Sequence, residues 1–354
     1  MMFERLIGGE MEIVAADLDG PQAVGAWPSF GKGQSVRCDT GRSALQLALL
    51  DWKCRHPTDG VVWVPSYTCP SVTSAIMGLG LSMRRYDDRP GLGVWSDPPT
   101  PVAHDIVIII HYFGILNRAA VGWVDSVFAR NWDLIEDCVQ APYTAAAGVR
   151  GEYVVTSLRK WWSAPDGAQV CTNHVLAARS LSAPDEQFVS QRVAAKLLRA
   201  QRIAEASYLE MIEESERSLE AREIRRVSWI SGHLLQRADA QRAGRVRRAN
   251  WSALAAGIAG LTQVQPLFAG LEPGEVPLAF PIIVAGSRRD ELRHFLMSSG
   301  IFCPIHWSLP PDAPRAAREL SERILSIPLD QRYRARDMDR VIATVGGFFN
   351  GSRT

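Results

Sequence analysis

The chain has 354 residues, 47% of them apolar, and its 39 lysine and arginine residues nearly balance its 38 aspartate and glutamate residues. A chain of this size can bury a sizeable core, and a net charge of +1 gives no electrostatic reason to expect nucleic acid or an anionic membrane as a partner. The longest apolar runs, such as residues 106–110, are far shorter than the ~18 residues that a membrane-spanning helix needs. Residues 1–10 include acidic side chains and do not look like a signal peptide, so we expect a cytoplasmic protein.

The cysteines show neither a Cys-x-x-Cys pair nor a histidine at metal-ligand spacing. We therefore expect no metal site and reduced thiols that lie mostly in the core. The six residues concerned are Cys38, Cys54, Cys69, Cys138, Cys171 and Cys303.

The first strong helix signal covers residues 44–50 and follows the hydroxyl- and glycine-rich stretch Asp39-Thr40-Gly41-Arg42-Ser43. A helix start of this kind can hold a phosphate on its free backbone amides. Thr40 or Ser43 can equally serve as an ordinary helix cap, so both interpretations stay open.

Short strands then alternate with helices. Strands are predicted at residues 61–64, 81–86, 106–110 and 134–135, with a helix at 72–78. This alternation predicts an α/β fold whose mostly parallel sheet is covered on both faces. His111 and Asp137 follow two of these strands, at the sheet edge where such folds bind ligands.

Lys160 is the main candidate for chemistry. Residues 153–155 predict a short buried strand and Pro165-Asp166-Gly167 a turn, which places Lys160 at a strand exit. Loop lysines are mostly solvated, but we expect Trp161 and Trp162 to form an apolar wall beside this one. Desolvation makes an amine a better nucleophile, so Lys160 is a candidate Schiff-base lysine.

The second half begins with a charged helical stretch over residues 185–221 and a further helix over 229–254. The arginines at 245, 247 and 248 in that helix suit contact with an anionic substrate such as a nucleotide diphosphate. A solvated helix face is the commoner arrangement for such a run. Arg159, next to the lysine, is a better candidate for an anion contact.

Several short motifs follow one another along the chain: Thr40-Gly-Arg-Ser-Ala-Leu45, Pro65-Ser-Tyr-Thr68, His111-Tyr-Phe-Gly114, Ile135-Glu-Asp-Cys-Val-Gln140, Ser157-Leu-Arg-Lys160, Phe280-Pro-Ile-Ile-Val284 and Cys303-Pro-Ile-His306-Trp307. This ordered series resembles the DegT/StrS family of pyridoxal phosphate (PLP)-dependent sugar aminotransferases, and the resemblance covers roughly residues 35–345. It implies the fold type I architecture, with a mostly parallel central sheet in a large domain (residues 1–250) and a smaller C-terminal α+β domain (251–354). It also implies a homodimer with its sites at the subunit interface.

The resemblance further implies the cofactor PLP and a role for each matching residue. Lys160 would form the Schiff base with PLP and then move the substrate proton. Asp137 would pair with the pyridine nitrogen, and Gln140 would lie near the ring or its 3′-oxygen.

The resemblance also implies contacts with the phosphate and the ring face of PLP. The backbone amides of Gly41 and Arg42, with the hydroxyl of Ser157, would hold the phosphate. Tyr67 would stack on the ring. His306 and Trp307 fall in the segment that lines the substrate entrance in the family.

Three positions depart from the family pattern. Val155 stands where many members have a serine, Ala168 replaces a glycine, and Arg222-Glu-Ile-Arg-Arg-Val-Ser228 lacks the asparagine of the segment that reaches the partner subunit. We expect these departures to affect substrate recognition more than PLP binding.

The implied reaction is transfer of an amino group from glutamate or glutamine to a keto acceptor, either a nucleotide-linked keto-sugar or a natural-product intermediate. Two alternatives stay open on the same scaffold. One is another PLP reaction, elimination or carbon–carbon bond formation, and the other is a non-catalytic PLP-binding regulatory protein.

Overall fold

The computed structural model describes residues 5–23, 25–56, 60–91, 93, 95, 97–127, 129–176, 181–203, 205–219 and 223–351. The strands, in chain order, are β1 (Ile7–Gly8), β2 (Gln34–Cys38), β3 (Val62–Pro65), β4 (Met83–Tyr86), β5 (Ile106–Ile110), β6 (Asp133–Asp137), β7 (Tyr153–Ser157), β8 (Ala168–Thr172), β9 (Val264–Pro266), β10 (Phe280–Val284), β11 (Ile301–Phe302) and β12 (Ile324–Ile327). The α-helices are α1 (Ala15–Asp19), α2 (Gly41–Arg55), α3 (Pro70–Gly78), α4 (Arg118–Ser126), α5 (Glu186–Gln201), α6 (Glu205–Arg217), α7 (Trp229–Gln236), α8 (Ala240–Ile258), α9 (Arg289–Ser298), α10 (Arg315–Arg323) and α11 (Ala335–Gly351).

A seven-stranded sheet with the order β2-β8-β7-β6-β5-β3-β4 organises the first half of the chain. The five strands from β7 to β4 run parallel, and β8 and β2 add antiparallel pairings at one side. Alternate residues of β5 pack into two different hydrophobic clusters, one with α2 and α3 and one with α4. Helices therefore cover both faces, as in other largely parallel sheets, and the predicted α/β fold is confirmed.

The register of the sheet brings chemistry to one edge. Ile110 of β5 lies opposite Asp137 of β6, and Asp137 lies opposite Val155 of β7. The carboxyl ends of these strands consequently meet beside the first turn of α2. Ser157 and Lys160 follow β7 directly at that edge.

A second core forms from the C-terminal residues. Strands β12, β10 and β9 make an antiparallel sheet that packs with α8, α9 and α11. Strand β1 pairs with β11, and α8 continues through residue 250. A division into domains at residue 250 stays a prediction.

Two predicted helices are each interrupted. The stretch predicted over 185–221 is α5 followed by α6, because Arg202 adopts a left-handed conformation (φ 56°) that ends α5; residues 220–222 lie outside the described part. The helix predicted over 229–254 is α7 followed by α8, which starts anew at Asp239, whose carboxylate accepts from the backbone N–H of Arg242.

The six cysteines, all within the described ranges, form no disulfide. Four of the six are buried, as expected. Cys54 is exposed and Cys69 half-buried. No helix in the described ranges is long and apolar enough to cross a membrane.

Candidate active site

Lys160 lines two neighbouring cavities. The sheet-edge cavity, about 230 Å³, is bounded by the first turn of α2, the ends of β5 and β6, and Trp307. The wide cavity, about 510 Å³, lies between the N-terminal residues 8–11, α6, α8 and residues 302–306. Arg159 and Glu216 also line both. The amine of Lys160 has no hydrogen-bond partner among the described residues.

The first turn of α2 presents free amides to the sheet-edge cavity. Thr40 caps the helix, its hydroxyl accepting from the backbone N–H of Ser43 at 3.2 Å. The amides of Gly41 and Arg42 come before any intrahelical acceptor and have no partner in the described structure. Thr40 therefore caps the helix. Two amides remain available for an anion, so phosphate binding at this turn stays a prediction.

Gly41 permits a close approach between this turn and the end of β7. A Cβ atom at Gly41 would lie 3.2 Å from the Cβ of Ser157 and 3.3 Å from Cγ2 of Val139. The Ser157 hydroxyl lines the cavity beside the free amides. The three donors form a cradle that suits a phosphate group. The Arg42 side chain turns away, its Nη1 donating to the carbonyl of Leu219 at 2.5 Å.

Asp137 offers one carboxylate oxygen to the same cavity. Its Oδ1 accepts from the backbone N–H of Val139 at 2.9 Å, and Oδ2 has no donor among the described residues. Burial raises the pKa of Asp137, while the Val139 amide and the charge of Lys160 act in the opposite direction. A cationic N–H donor would match the free oxygen.

Gln140 contains a buried donor that lacks an acceptor. Its Oε1 accepts from the backbone N–H of Phe113 at 2.6 Å, whereas the buried Nε2 has no acceptor in the described structure. Leaving such a group unsatisfied costs about 1–3 kcal/mol. Because Gln140 lines the sheet-edge cavity, a ligand oxygen there would satisfy it.

The expected wall of Trp161 and Trp162 is wrong. Trp161 is fully buried and its Nε1 donates to the carbonyl of Val139, while Nε1 of Trp162 donates to the hydroxyl of Tyr143. The helical turn at Leu158–Lys160 directs these indoles away from the cavities. Apolar lining near Lys160 comes from other elements: Leu45, Cys69, Val72, Ile110, Val139 and Trp307.

Tyr67 does not reach the cavity wall, in contrast to the predicted stacking role. Its side chain is fully buried, its hydroxyl donates to the carbonyl of His306, and its ring packs 5.6 Å from that of Trp307. Trp307 lines the sheet-edge cavity and supplies the aromatic surface there. The strand exit turns Tyr67 into the core, a direction that the motif does not reveal.

Arg159 and His306, the other predicted substrate contacts, differ in whether they already have a charged partner. Arg159 already pairs with Glu216 at 2.6 Å; burial alone would lower the pKa of Arg159, but Glu216 and Glu10 hold it above its ordinary value. His306 lines the wide cavity, with Nδ1 2.9 Å from the hydroxyl of Ser326. Burial and the charge of Lys160 lower the pKa of His306 to about 3, so the ring is neutral near pH 7.

The positions that depart from the family pattern have structural roles. Val155 packs in the core and Ala168 pairs with Ser157 in the sheet. The carbonyl of Arg225 accepts from the backbone N–H of Asp39, which holds the altered segment against its own chain. Arg222 lies outside the described residues.

His111 is structural. Its Nε2 lies 2.9 Å from Glu136, and both side chains are fully buried. The Nδ1 atom accepts from the backbone N–H of Asn117, so the Nε2 hydrogen points to the carboxylate. No cluster of side chains that could hold a metal ion occurs in the described part of the chain.

The sequence prediction treated Arg247 as part of a solvated run, but it is fully buried and lines the wide cavity. The spacing of apolar residues in this helix could have indicated that Arg247 is buried. Arg247 lies four residues after Ala243 and seven before Leu254, on the face of α8 that is buried.

Comparison with solved structures finds the same architecture in several aminotransferases. A sugar aminotransferase from Micromonospora echinospora is 17% identical, with a TM-score of 0.62 over 96% of this chain and 99% of that chain. A DegT/DnrJ/EryC1/StrS aminotransferase from Brucella abortus is 16% identical (TM-score 0.55; 90% and 87% covered), and an aminotransferase from Streptoalloteichus hindustanus is 16% identical (TM-score 0.59; 91% and 87% covered). No protein-family model and no curated protein matches the sequence significantly. The chain therefore has the fold type I architecture that these aminotransferases share.

Proposed function

We propose that the chain is a PLP-dependent aminotransferase that carries an amino group from an amino acid, glutamate or glutamine, to a keto acceptor. The acceptor would be a nucleotide-linked keto-sugar or a natural-product intermediate. One observation carries the proposal: the unpartnered amine of Lys160, the free oxygen of Asp137 and the unsatisfied amide of Gln140 all border one cavity. The likeness in fold to sugar aminotransferases supports it.

The residues present fit PLP. The amides of Gly41 and Arg42 with the Ser157 hydroxyl would hold its phosphate, Oδ2 of Asp137 would accept from the protonated ring nitrogen, and Nε2 of Gln140 would donate to the ring oxygen. When bound, PLP supplies an electron-withdrawing ring that stabilises negative charge on the substrate carbon.

Lys160 performs the proton chemistry. Its amine reaches both cavities, so it can bind the cofactor covalently on one side and meet the substrate on the other. With PLP bound, the free amine of Lys160 would take the proton from the substrate carbon and hold it for the return transfer. A neutral His306 beside it adds no competing positive charge.

The proposal includes a homodimer and a division of the chain into a large domain, residues 1–250, and a small one, 251–354. Fold type I sites lie at subunit interfaces, and a second subunit would complete the open side of the cavities. Analytical ultracentrifugation tests the homodimer. We expect the mass of two chains, and a fully active monomer would refute the proposed dimer.

The test of the reaction is amino transfer from ¹⁵N-labelled glutamate or glutamine. We expect the label to leave the donor and convert bound PLP to its aminated form, with a 2-oxo acid as product. The altered sequence of residues 222–228 motivates the second candidate, which is another PLP reaction such as elimination or carbon–carbon bond formation. If PLP attaches to Lys160 and no donor transfers its label, elimination, carbon–carbon bond formation or a non-catalytic role would replace the proposal.

A further inference from the structure

The wide cavity carries more positive than negative charge. Five cationic and three carboxylate side chains line it. Arg159 pairs with Glu216, and Arg332 pairs with Asp330 at 2.8 Å. The third carboxylate, Glu10, pairs with two buried cations of α5, Arg192 and Lys196. The cations left without a carboxylate within salt-bridge distance in the described structure are Lys160, Arg247 and Arg293.

Arg247 is the most constrained of these cations. Its Nε donates to the side-chain oxygen of Gln331 at 2.8 Å, and its Nη1 donates to the carbonyls of Pro277 and Leu278 at 3.1 and 2.9 Å. Its Nη2 is buried and has no acceptor among the described residues. The protein thus fixes the guanidinium and leaves one amino group unused.

Arg247 is a buried cation with no carboxylate within salt-bridge distance in the described structure, and the charge of Asp330 acts on it only from farther away. Removing a charge from water is unfavourable unless a partner or hydrogen bonds replace the lost hydration. Burial lowers the pKa of Arg247 to about 10, which still leaves it charged at neutral pH. A ligand anion in the wide cavity would supply the missing partner.

Arg247 contacts Trp161, the residue after Lys160, both directly and through Gln331. The guanidinium lies 4.5 Å from the ring centroid of Trp161, the residue that follows Lys160. Gln331 bridges the two, accepting from Arg247 and donating to the carbonyl of Trp161 at 2.7 Å. The free amino group is therefore held at a fixed place relative to the backbone of Trp161, which follows Lys160 in the chain.

We propose that Arg247 binds the α-carboxylate of the amino donor. This inference rests on the proposed aminotransferase function. In an amino acid the carboxylate is bonded to the carbon that carries the reacting amine, so it must lie near Lys160 when the donor reacts. A single free amino group suits one carboxylate oxygen, whereas a diphosphate would require several cations.

The test compares donors with analogues that lack only the α-carboxylate: glutamate with 4-aminobutyrate, and glutamine with 4-aminobutanamide. Conversion of PLP-loaded protein is followed by absorbance for the native chain, Arg247→Gln and Arg247→Lys. Binding of glutarate, an unreactive dicarboxylate, is measured by calorimetry as a readout that needs no turnover. Arg248→Gln is the matched control, because Arg248 lies on the same helix but lines a different cavity and donates to the carbonyls of Glu272 and Glu275.

We expect the native protein to favour each acid over its analogue by roughly 10- to 100-fold, the range for a charge-assisted hydrogen bond. Arg247→Gln should remove most of this preference and weaken glutarate binding similarly, while the analogues react as before. Arg247→Lys should keep part of the preference, and Arg248→Gln all of it.

Several results would overturn the inference. The inference fails if the native protein shows no preference for glutamate or glutamine over the analogues that lack the α-carboxylate. This result counts even if Arg247→Gln does not fold. Equal losses for acids and analogues would make Arg247 merely structural. Weakened binding of inorganic phosphate with unchanged glutarate binding would assign Arg247 to the acceptor. If PLP never attaches to Lys160, the proposed function itself fails, which is a separate outcome.

Discussion

At the scale of single residues, the site is marked by polar groups that folding leaves unsatisfied. Nε2 of Gln140 and Nη2 of Arg247 are buried donors without acceptors in the described structure, and Oδ2 of Asp137 lacks a donor there. Most buried polar groups in proteins find partners. The three atoms near Lys160 support the proposal that a ligand with complementary polar atoms binds there.

Replacing Asp137 by Asn tests the charge at that position. The amide oxygen can keep the hydrogen bond from Val139, but the negative charge is lost. We expect the rate of amino transfer to fall on the order of 10²- to 10³-fold, as for other preorganised electrostatic groups. The thermal unfolding temperature should change little. Asp312→Asn, an exposed carboxylate, is the control, and a rate within about twofold of native for Asp137→Asn would contradict the assignment.

His306 predicts a pH dependence of stability. Its pKa is about 3 in the folded chain against an ordinary value of 6.5, so the unfolded chain binds more protons between these values. The stability due to neutral His306 is complete above pH 6.5 and is lost as the pH falls towards 3. The free energy of unfolding in urea should therefore decline less between pH 7 and 4 for His306→Gln than for the native chain. Parallel declines would show that the ring is not held neutral.

At the scale of elements, the N-terminal residues are fixed by charge. Glu10 accepts from Lys196 of α5 at 2.8 Å and lies 3.0 Å from Arg192, and both cations are fully buried. Arg199 of α5 also donates to the carbonyl of Gly8 at 2.9 Å. These contacts bind the segment that forms one side of the wide cavity to the helix beside it.

Glu10→Gln should be strongly destabilising. It would leave the buried Lys196 without a carboxylate and Arg192 with Glu216 alone. The expected cost is about 3 kcal/mol, the low end for a broken buried pair, because the Glu10 side chain is 25% exposed. The two cations lower the pKa of Glu10 despite its burial, so this contribution is present at neutral pH and is lost in acid. Chemical denaturation measures it, with exposed Glu213→Gln on α6 as the control. A loss below about 1 kcal/mol would mean that the network contributes little.

Sequence patterns predicted the elements well where burial dictates them. The buried run Ile106–Ile110 is a strand within the predicted limits, because a central strand of a parallel sheet is covered on both faces and buries successive apolar residues. Helix interruptions and side-chain directions were harder to predict from the sequence. The break at Arg202 depends on one left-handed residue, and the directions of Trp161 and Tyr67 depend on tight turns that periodicity does not encode.

At the scale of the whole molecule, the site exists only because distant segments converge. The first turn of α2, the end of β6, the turn after β7 and residues 302–307 together surround Lys160. The ordered motifs predicted most of the sheet-edge cavity. The wide cavity was not predictable, because its walls combine residues 8–11 with α8 and β11 through pairings that are remote in sequence.

The central claim is that Lys160 binds PLP covalently, and one measurement tests it most directly. Protein incubated with PLP is reduced with borohydride and digested, and the modified peptide is identified by mass spectrometry, with Lys160→Ala and Lys32→Ala treated in parallel. We predict one pyridoxyl group per chain, on Lys160, in the native and Lys32→Ala proteins and its absence from Lys160→Ala. Native protein without the adduct on Lys160, or labelling of Lys160→Ala at another lysine to the same extent, would contradict the claim.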